Sequence, residues 1–242
     1  MDKESKFIRQ AKIPFLGVEH QRDWGKKKIL IFGCGGLGNG VLMSLSRMGF
    51  EDFVLVDGDK VEMSNLHRQW MFSENQLGWS KVRAAENWLA TYAKGSKCLV
   101  IEQYVSNAFD QALIAKEVDL VLDCTDQVSA KYWIADYCHK NNKPWVMGSV
   151  EQWEGQVSVF GYPDSDGNQW NYQDWVGQSL KDYMVGSCEQ RGVFPPMVQW
   201  IAQMQVLEAC RICSGLPASF NGKIGYWNMW SNTHLSVQLP KP

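Results

Sequence analysis

Short apolar runs alternate with amphipathic stretches along the first 150 residues. Ile29–Phe32, Phe53–Val56, Leu99–Glu102, Leu120–Leu122 and Trp145–Met147 are short, apolar and rich in β-branched side chains, which predicts strands. Helical spacings lie between them: Gly36–Met48, Ser80–Ala93 (with Val82, Ala85, Leu89 and Tyr92 three or four residues apart), Ala108–Lys116 and Ser129–His139. Such alternation predicts the α/β class, a Rossmann-like, doubly wound and mostly parallel sheet with helices on both faces. After about residue 150 the pattern changes. Gln156–Tyr162 reads as a strand, and a polar, aromatic stretch then runs to about Arg191. "PPMVQWIAQMQVLEACRICSG" follows, a helix with prolines at its start and Gly215 past its end. Its apolar positions 200, 204 and 207 and 202, 206, 209 and 213 lie on more than one side, which predicts a buried helix. Strands near Gly222–Met229 and Leu235–Leu239 close the chain as a C-terminal antiparallel extension.

The first apolar run leads into "GCGGLG", Gly33 to Gly38, at the start of the first predicted helix. A strand, GxGxxG and a helix place free backbone N–H groups and a helix N-terminus beside a phosphate. Asp57, at the end of the second strand and 19 residues after Gly38, suits ribose hydroxyls. NAD, FAD and ATP all fit to this point. The next stretch, "DGDKVEMSNLHRQWMFSENQLGWSK", gathers Asp57, Asp59, Asn65, Arg68, Gln69 and Lys81 beyond the second strand. A nicotinamide ring has no use for a clustered Arg and Lys. A triphosphate needs both, the planar fork and the mobile point charge. "DLVLDCTDQ" adds Asp123 and Asp126 beyond the fourth strand. An acid beside phosphates there suits Mg²⁺, which takes one or two carboxylates together with phosphate oxygens.

Composition narrows the partners. A net charge of -2 gives no electrostatic reason to expect nucleic acid. No stretch reaches about 18 apolar residues, so no membrane span is expected. The opening "MDKESKFIRQAKIPF" does not read as a signal peptide, and the cytoplasm is the expected location. Seven cysteines without an export signal argue against a disulfide framework. Only Cys210 and Cys213 form a CxxC pair, which reads as two small buried side chains on one helix face rather than half of a zinc site. The tryptophans of "GNQWNYQDW", Gly167 to Trp175, fit either an exposed contact surface or packing within the loop.

In this order the pieces resemble the ThiF/MoeB/HesA family, bacterial relatives of ubiquitin-activating enzymes: Arg9-Gln10, "GCGGLG", "VDGDKVEMSNLHRQ", "LGWSK", "DLVLDCTD", "EGQVSVF", "GVFPP" and "QVLEA". The resemblance covers nearly the whole chain. It implies one adenylation domain over residues 1–242: an N-terminal arm (1–25), a nucleotide-binding part (26–150), and a crossover loop, buried helix and C-terminal strands (151–242). It implies that ATP and Mg²⁺ are used to adenylate the carboxylate of a small ubiquitin-like sulfur-carrier protein or a short precursor peptide, with release of pyrophosphate. Gly33, Gly35, Gly36 and Gly38 would approach the phosphates, Asp57 the ribose with Asp59 nearby. Asn65, Arg68 and Lys81 would hold the triphosphate, with Gln69 beside them, and Asp126 would bind Mg²⁺. Arg9 would reach the partner subunit's site, so a homodimer is expected. A non-catalytic nucleotide-binding scaffold and an NAD-dependent oxidoreductase are the alternatives.

The chain departs from the family pattern in one respect. Many members carry zinc on two CxxC pairs, but Asn168–Trp175 stands where the first would fall, so no zinc is expected. Cys188, in "GSCEQRGVFPP", matches a cysteine that captures the activated carboxylate in some members and is dispensable in others. Arg191 nearby would lower its pKa and Glu189 would raise it, so both readings stay open.

Overall fold

The computed structural model describes residues 6–14, 16–106, 108–114, 117–176 and 192–241. Eight strands form one sheet: β1 (Lys28–Phe32), β2 (Asp52–Val56), β3 (Lys97–Ile101), β4 (Leu120–Asp123), β5 (Trp145–Glu151), β6 (Glu154–Phe160), β7 (Lys223–Asn228) and β8 (Thr233–Gln238). Their order is β3-β2-β1-β4-β5-β6-β7-β8. The pairs β3·β2, β2·β1, β1·β4 and β4·β5 are parallel, and β5·β6, β6·β7 and β7·β8 antiparallel. All eight predicted strands are present, displaced by no more than two residues at their ends except β5, which runs four residues beyond the predicted Met147 to Glu151. Short turns join β5 to β6 and β7 to β8, and a tight turn permits only an antiparallel pair; β6 and β7 also pair antiparallel, but the chain between them runs through α6.

The α-helices are α1 (Gly17–Trp24), α2 (Gly36–Met48), α3 (Lys81–Tyr92), α4 (Val128–Lys140), the short α5 (Tyr172–Val176) and α6 (Pro195–Cys213). Side chains of each central strand alternate between two cores. Ile29 and Ile31 of β1 join α2, α3 and α6 on one face, while Leu30 and Phe32 join α4 and α5 on the other. A Cβ added at Gly40 of α2 would stand 2.7 Å from that of Ala202 on α6, which measures how closely the two helices meet. α6 is buried over most of its girth, each large apolar side chain adding roughly 1.5–3 kcal/mol. An outer stripe at Trp200, Gln203 and Leu207 nevertheless stays open, because the helix has the sheet on only one side.

The helix expected at Ala108–Lys116 is not formed over its described residues. A single 3-10 turn, Gln111–Leu113, stands there, with extended backbone at Asp110 and Ile114. Asp110 accepts the Ala112 N–H and caps the turn, and Phe109 and Ile114 both anchor in the core. The tryptophan-rich stretch is resolved in favour of packing. Trp170 is buried and donates its Nε1–H to the Pro240 carbonyl (2.8 Å), and Trp175 packs partly buried beside Tyr172. Cys210 and Cys213 are likewise buried thiols on α6, both pushed up to about 12 by burial. Cys188, Glu189 and Arg191 lie outside the described residues.

Candidate active site

The strand order sends the chain from β1 to β2 on one side and places β4 on the other. The carboxyl ends of these strands therefore diverge and leave a crevice, the usual ligand site of an open α/β sheet. A cavity of about 530 Å³ lies there. Gly33, Gly35 and Gly36 line its floor, Asp57 and Asp59 enter from the end of β2, and Asp126 enters from the end of β4. Asn65, Arg68, Gln69 and Lys81 complete the wall.

The glycine loop is held by geometry that permits no other residue at two positions. Gly33 has φ +88°, and a Cβ there would lie 2.8 Å from the Cys124 carbonyl oxygen. At Gly38 a Cβ would lie only 2.0 Å from the Gly33 carbonyl oxygen, so this glycine sits under the loop, where it seats the helix against the strand, and does not line the cavity. Gly35 lines the cavity, with room for a Cβ in ordinary contact (3.7 Å) with Gln69 Nε2. Asn39, buried on α2, was not singled out by the sequence. Its Nδ2 donates to the carbonyls of Cys34 (2.9 Å) and Gly35 (3.0 Å), and its Oδ1 accepts the Met71 N–H (2.8 Å). It ties the glycine loop to the segment that carries Arg68.

Asp57 accepts two backbone N–H groups, from Cys34 at 2.6 Å and Asp59 at 2.7 Å. Burial raises its carboxyl above the ordinary aspartate value, against the pull of Lys81 and these donors. Lys81 opens α3 and its ammonium is almost fully buried, 2.7 Å from Asp59 Oδ2. A backbone bond from Lys81 N to the Asp59 carbonyl (3.0 Å) closes the same contact. Burial works to raise Asp59, but Lys81 and the Tyr104 hydroxyl outweigh it and hold the carboxyl below its usual range. Arg68, half-buried, donates to the Ser64 carbonyl at 3.0 Å. Burial lowers its pKa, opposed by the field of Asp126. Asp126 is exposed at the cavity rim.

The two acids of "DLVLDCTD" part company. Asp123 is fully buried and paired with Lys131 of α4 at 3.0 Å, while its other oxygen accepts the Thr125 N–H (2.9 Å) and hydroxyl (2.7 Å). Lys131 donates also to the Gly148 carbonyl (2.8 Å). Asp123 thus braces the loop that carries Asp126 and has no free oxygen for a metal. Lys131, Thr125 and Tyr104 were not picked out from the sequence. Position 131 falls on the buried stripe of α4 with 130, 134, 135 and 138, and that was the available signal. Arg9 is exposed on the N-terminal arm and does not line the cavity of its own chain.

A family model described as ThiF family matches residues 7–242. The chain belongs to the ThiF family. Among similar proteins are the adenylyltransferase and sulfurtransferase MOCS3 of Xenopus laevis, 34% identical over 90% of this chain and 47% of that protein, and the probable adenylyltransferase/sulfurtransferase MoeZ of Mycobacterium tuberculosis, 30% identical over 98% and 60%. The chain spans about half to three-fifths of the length of these relatives. Its fold matches E. coli MccB solved with MccA-N7isoASN (TM-score 0.84, 17% identity, 100% of this chain and 73% of that one). It also matches MccB solved with ATP (TM-score 0.78, 20% identity, 92% and 66%).

The site fits a nucleotide triphosphate. Asn65 Oδ1 and Gln69 Oε1 are buried with no hydrogen-bond partner in the protein, an arrangement that costs roughly 1–3 kcal/mol each unless a ligand or water supplies a donor. Two cations, Arg68 and Lys81, stand with them. Among the described residues no group of three or more Cys, His, Asp or Glu side chains converges as a metal site. That does not count against Mg²⁺, for which one carboxylate and phosphate oxygens suffice.

Proposed function

We propose that this ThiF-family chain is an ATP-dependent adenylyltransferase that activates the carboxylate of a small protein or peptide as an acyl-adenylate and releases pyrophosphate. The observation that carries this reading is the placement of Arg68 and Lys81 in one cavity with the glycine loop, with Asp126 at the rim. A redox dinucleotide has no use for that paired positive charge beyond its pyrophosphate, and a passive scaffold has no use for an exposed acid facing it.

The chemistry needs few parts. A carboxylate is already ionised at neutral pH, so no general base is required. The barrier is repulsion between anions and the geometry of attack. Preorganised cations lower it, typically by about 3–4 kcal/mol per essential contact. Arg68 and Lys81 would hold the triphosphate and spread the charge at the α-phosphorus, and Asp57 would hold the ribose. Asp126 would hold Mg²⁺, which when bound supplies charge neutralisation between the phosphates. Lys81 now rests on Asp59, so nucleotide binding means exchange of one anion for another. Arg9 would complete the site of a second copy in a homodimer.

The names of MOCS3 and MoeZ join adenylyl transfer to sulfur transfer, and MccB has been solved with MccA. Both support a carboxylate on a protein or peptide as acceptor. The test is ATP–pyrophosphate exchange with candidate acceptors, read beside mass spectrometry of each acceptor. Asp126→Ala should lower exchange at least a hundredfold, and exchange near the wild-type rate would end the assignment of Asp126.

A further inference from the structure

We propose that Tyr104 is a positioning residue of this site, acting through Asp59 on Lys81; the inference rests on the ATP reading above. Three segments distant in sequence meet here. Asp59 follows β2, Lys81 opens α3, and Tyr104 follows β3. The Tyr104 hydroxyl donates to Asp59 Oδ1 at 2.8 Å, and the Lys81 ammonium donates to Asp59 Oδ2 at 2.7 Å. One carboxylate therefore has one oxygen for the phenol and the other for the ammonium.

The place of the ring is enforced independently. It lies against the backbone of Gly58, where a Cβ would stand 2.6 Å from a ring carbon and 2.8 Å from the Tyr104 nitrogen. Tyr104 itself is 60% exposed and lines the cavity, so its side chain is not there to fill the core. Asp57, by contrast, spends its hydrogen bonds on two backbone N–H groups, and of the two acids it is Asp59 that bonds to the Lys81 side chain.

The direction of the effect follows from charge. A hydroxyl that donates to a carboxylate draws off part of the negative charge that Lys81 would otherwise feel. It also stops the carboxylate from turning to offer the ammonium both oxygens. Each action leaves Lys81 more available to an incoming phosphate. Without the hydroxyl, Asp59 competes better for Lys81 and the triphosphate is bound more weakly.

Calorimetric titration of the protein with ATP·Mg²⁺ tests this, in the wild type, Tyr104→Phe, Gly58→Ala, Asp59→Ala and the Asp59→Ala/Tyr104→Phe pair. Tyr104→Phe should raise the Kd for ATP about tenfold, as expected for one hydrogen bond to a charged group. It should leave the melting temperature within about 2 °C of the wild type, as the substitution removes one exposed hydroxyl. Gly58→Ala, which keeps the hydroxyl but displaces the ring, should give a loss of similar size. In the Asp59→Ala background, Tyr104→Phe should change Kd less than twofold, because the link is already cut. An unchanged Kd in Tyr104→Phe overturns the inference alone. An equal loss with and without Asp59 makes Tyr104 a direct nucleotide contact and also overturns it. A wild-type protein that binds no ATP overturns the reading of the site, and this inference with it.

Discussion

Replacement of Lys131 by Met should cost the fold more than replacement of Lys81 on the cavity wall, although Lys131 touches none of the proposed ligands. Its ammonium is 3.0 Å from Asp123 and 2.8 Å from the Gly148 carbonyl, and Asp123 is fully buried. Methionine fills much of the same volume, so the packing change is small. What remains is a carboxylate in the interior with Thr125 as its one donor residue among the described residues. Breaking one side of a buried ion pair costs about 3–5 kcal/mol. For a chain of this length each kcal/mol moves the melting temperature by about 2–4 °C, so a fall of roughly 6–20 °C is expected. The second half of the experiment is Asp123→Asn combined with Lys131→Met. The asparagine oxygen can still accept from Thr125, no buried charge is left, and the pair of substitutions should recover more than half of the loss. Urea and thermal unfolding of the four proteins measure both quantities. A cost below about 1 kcal/mol for Lys131→Met, or a double variant as damaged as the sum of the singles, would refute the view that this pair braces the Asp126 loop.

Other outcomes follow from the same geometry. Gly38→Ala would force a Cβ to within 2.0 Å of the Gly33 carbonyl, and should shift the glycine loop and abolish detectable ATP binding in calorimetry. In Lys81→Met the stability linked to Asp59 is lost. Because that carboxyl is held below its ordinary 3.8, the stability is present above the unfolded value and vanishes as pH falls through the lowered one. The wild type should therefore exceed Lys81→Met by up to about 1 kcal/mol at pH 7, discounted because Asp59 is half exposed, and the gap should close below about pH 4 in urea titrations. Arg9→Ala mixed with Lys81→Ala should regain part of the pyrophosphate exchange through hybrid dimers; no regain after proven subunit exchange counts against a shared site. Cys188→Ser separates capture of the acyl group from its release without a thiol, and unchanged product in mass spectrometry excludes capture at that residue.

Much of this could be read from the chain because the signals were local. Short apolar runs marked β1 to β5, and "GCGGLG" marked the helix start at Gly36 to the residue. "SNLHRQ", Lys81 and Asp126 were recognisable as a set, and the cavity brings them together. Long-range pairing was not legible. Asp123 and Asp126 look equivalent by residue type in "DCTD"; the resemblance singled out Asp126, and the structure pairs the first with Lys131 of α4 and leaves the second exposed. Residues 108–116 have a helical spacing, yet the core takes both Phe109 and Ile114 and leaves room for one turn. Nothing near Tyr104 in sequence hints at Asp59, 45 residues earlier.

The contact between α2 and α6 sets a limit on how this protein can be divided. Residues 26–150 hold the glycine loop, Arg68, Lys81 and Asp126. The wall over that loop is nevertheless built from Val198 and its neighbours, and a Cβ on Gly36 would stand 2.8 Å from a Val198 methyl. A ribosome would have to release some two hundred residues before the pocket could close over a nucleotide. Residues 26–150 would thus carry the proposed nucleotide and Mg²⁺ contacts of their own chain and still lack the wall over them.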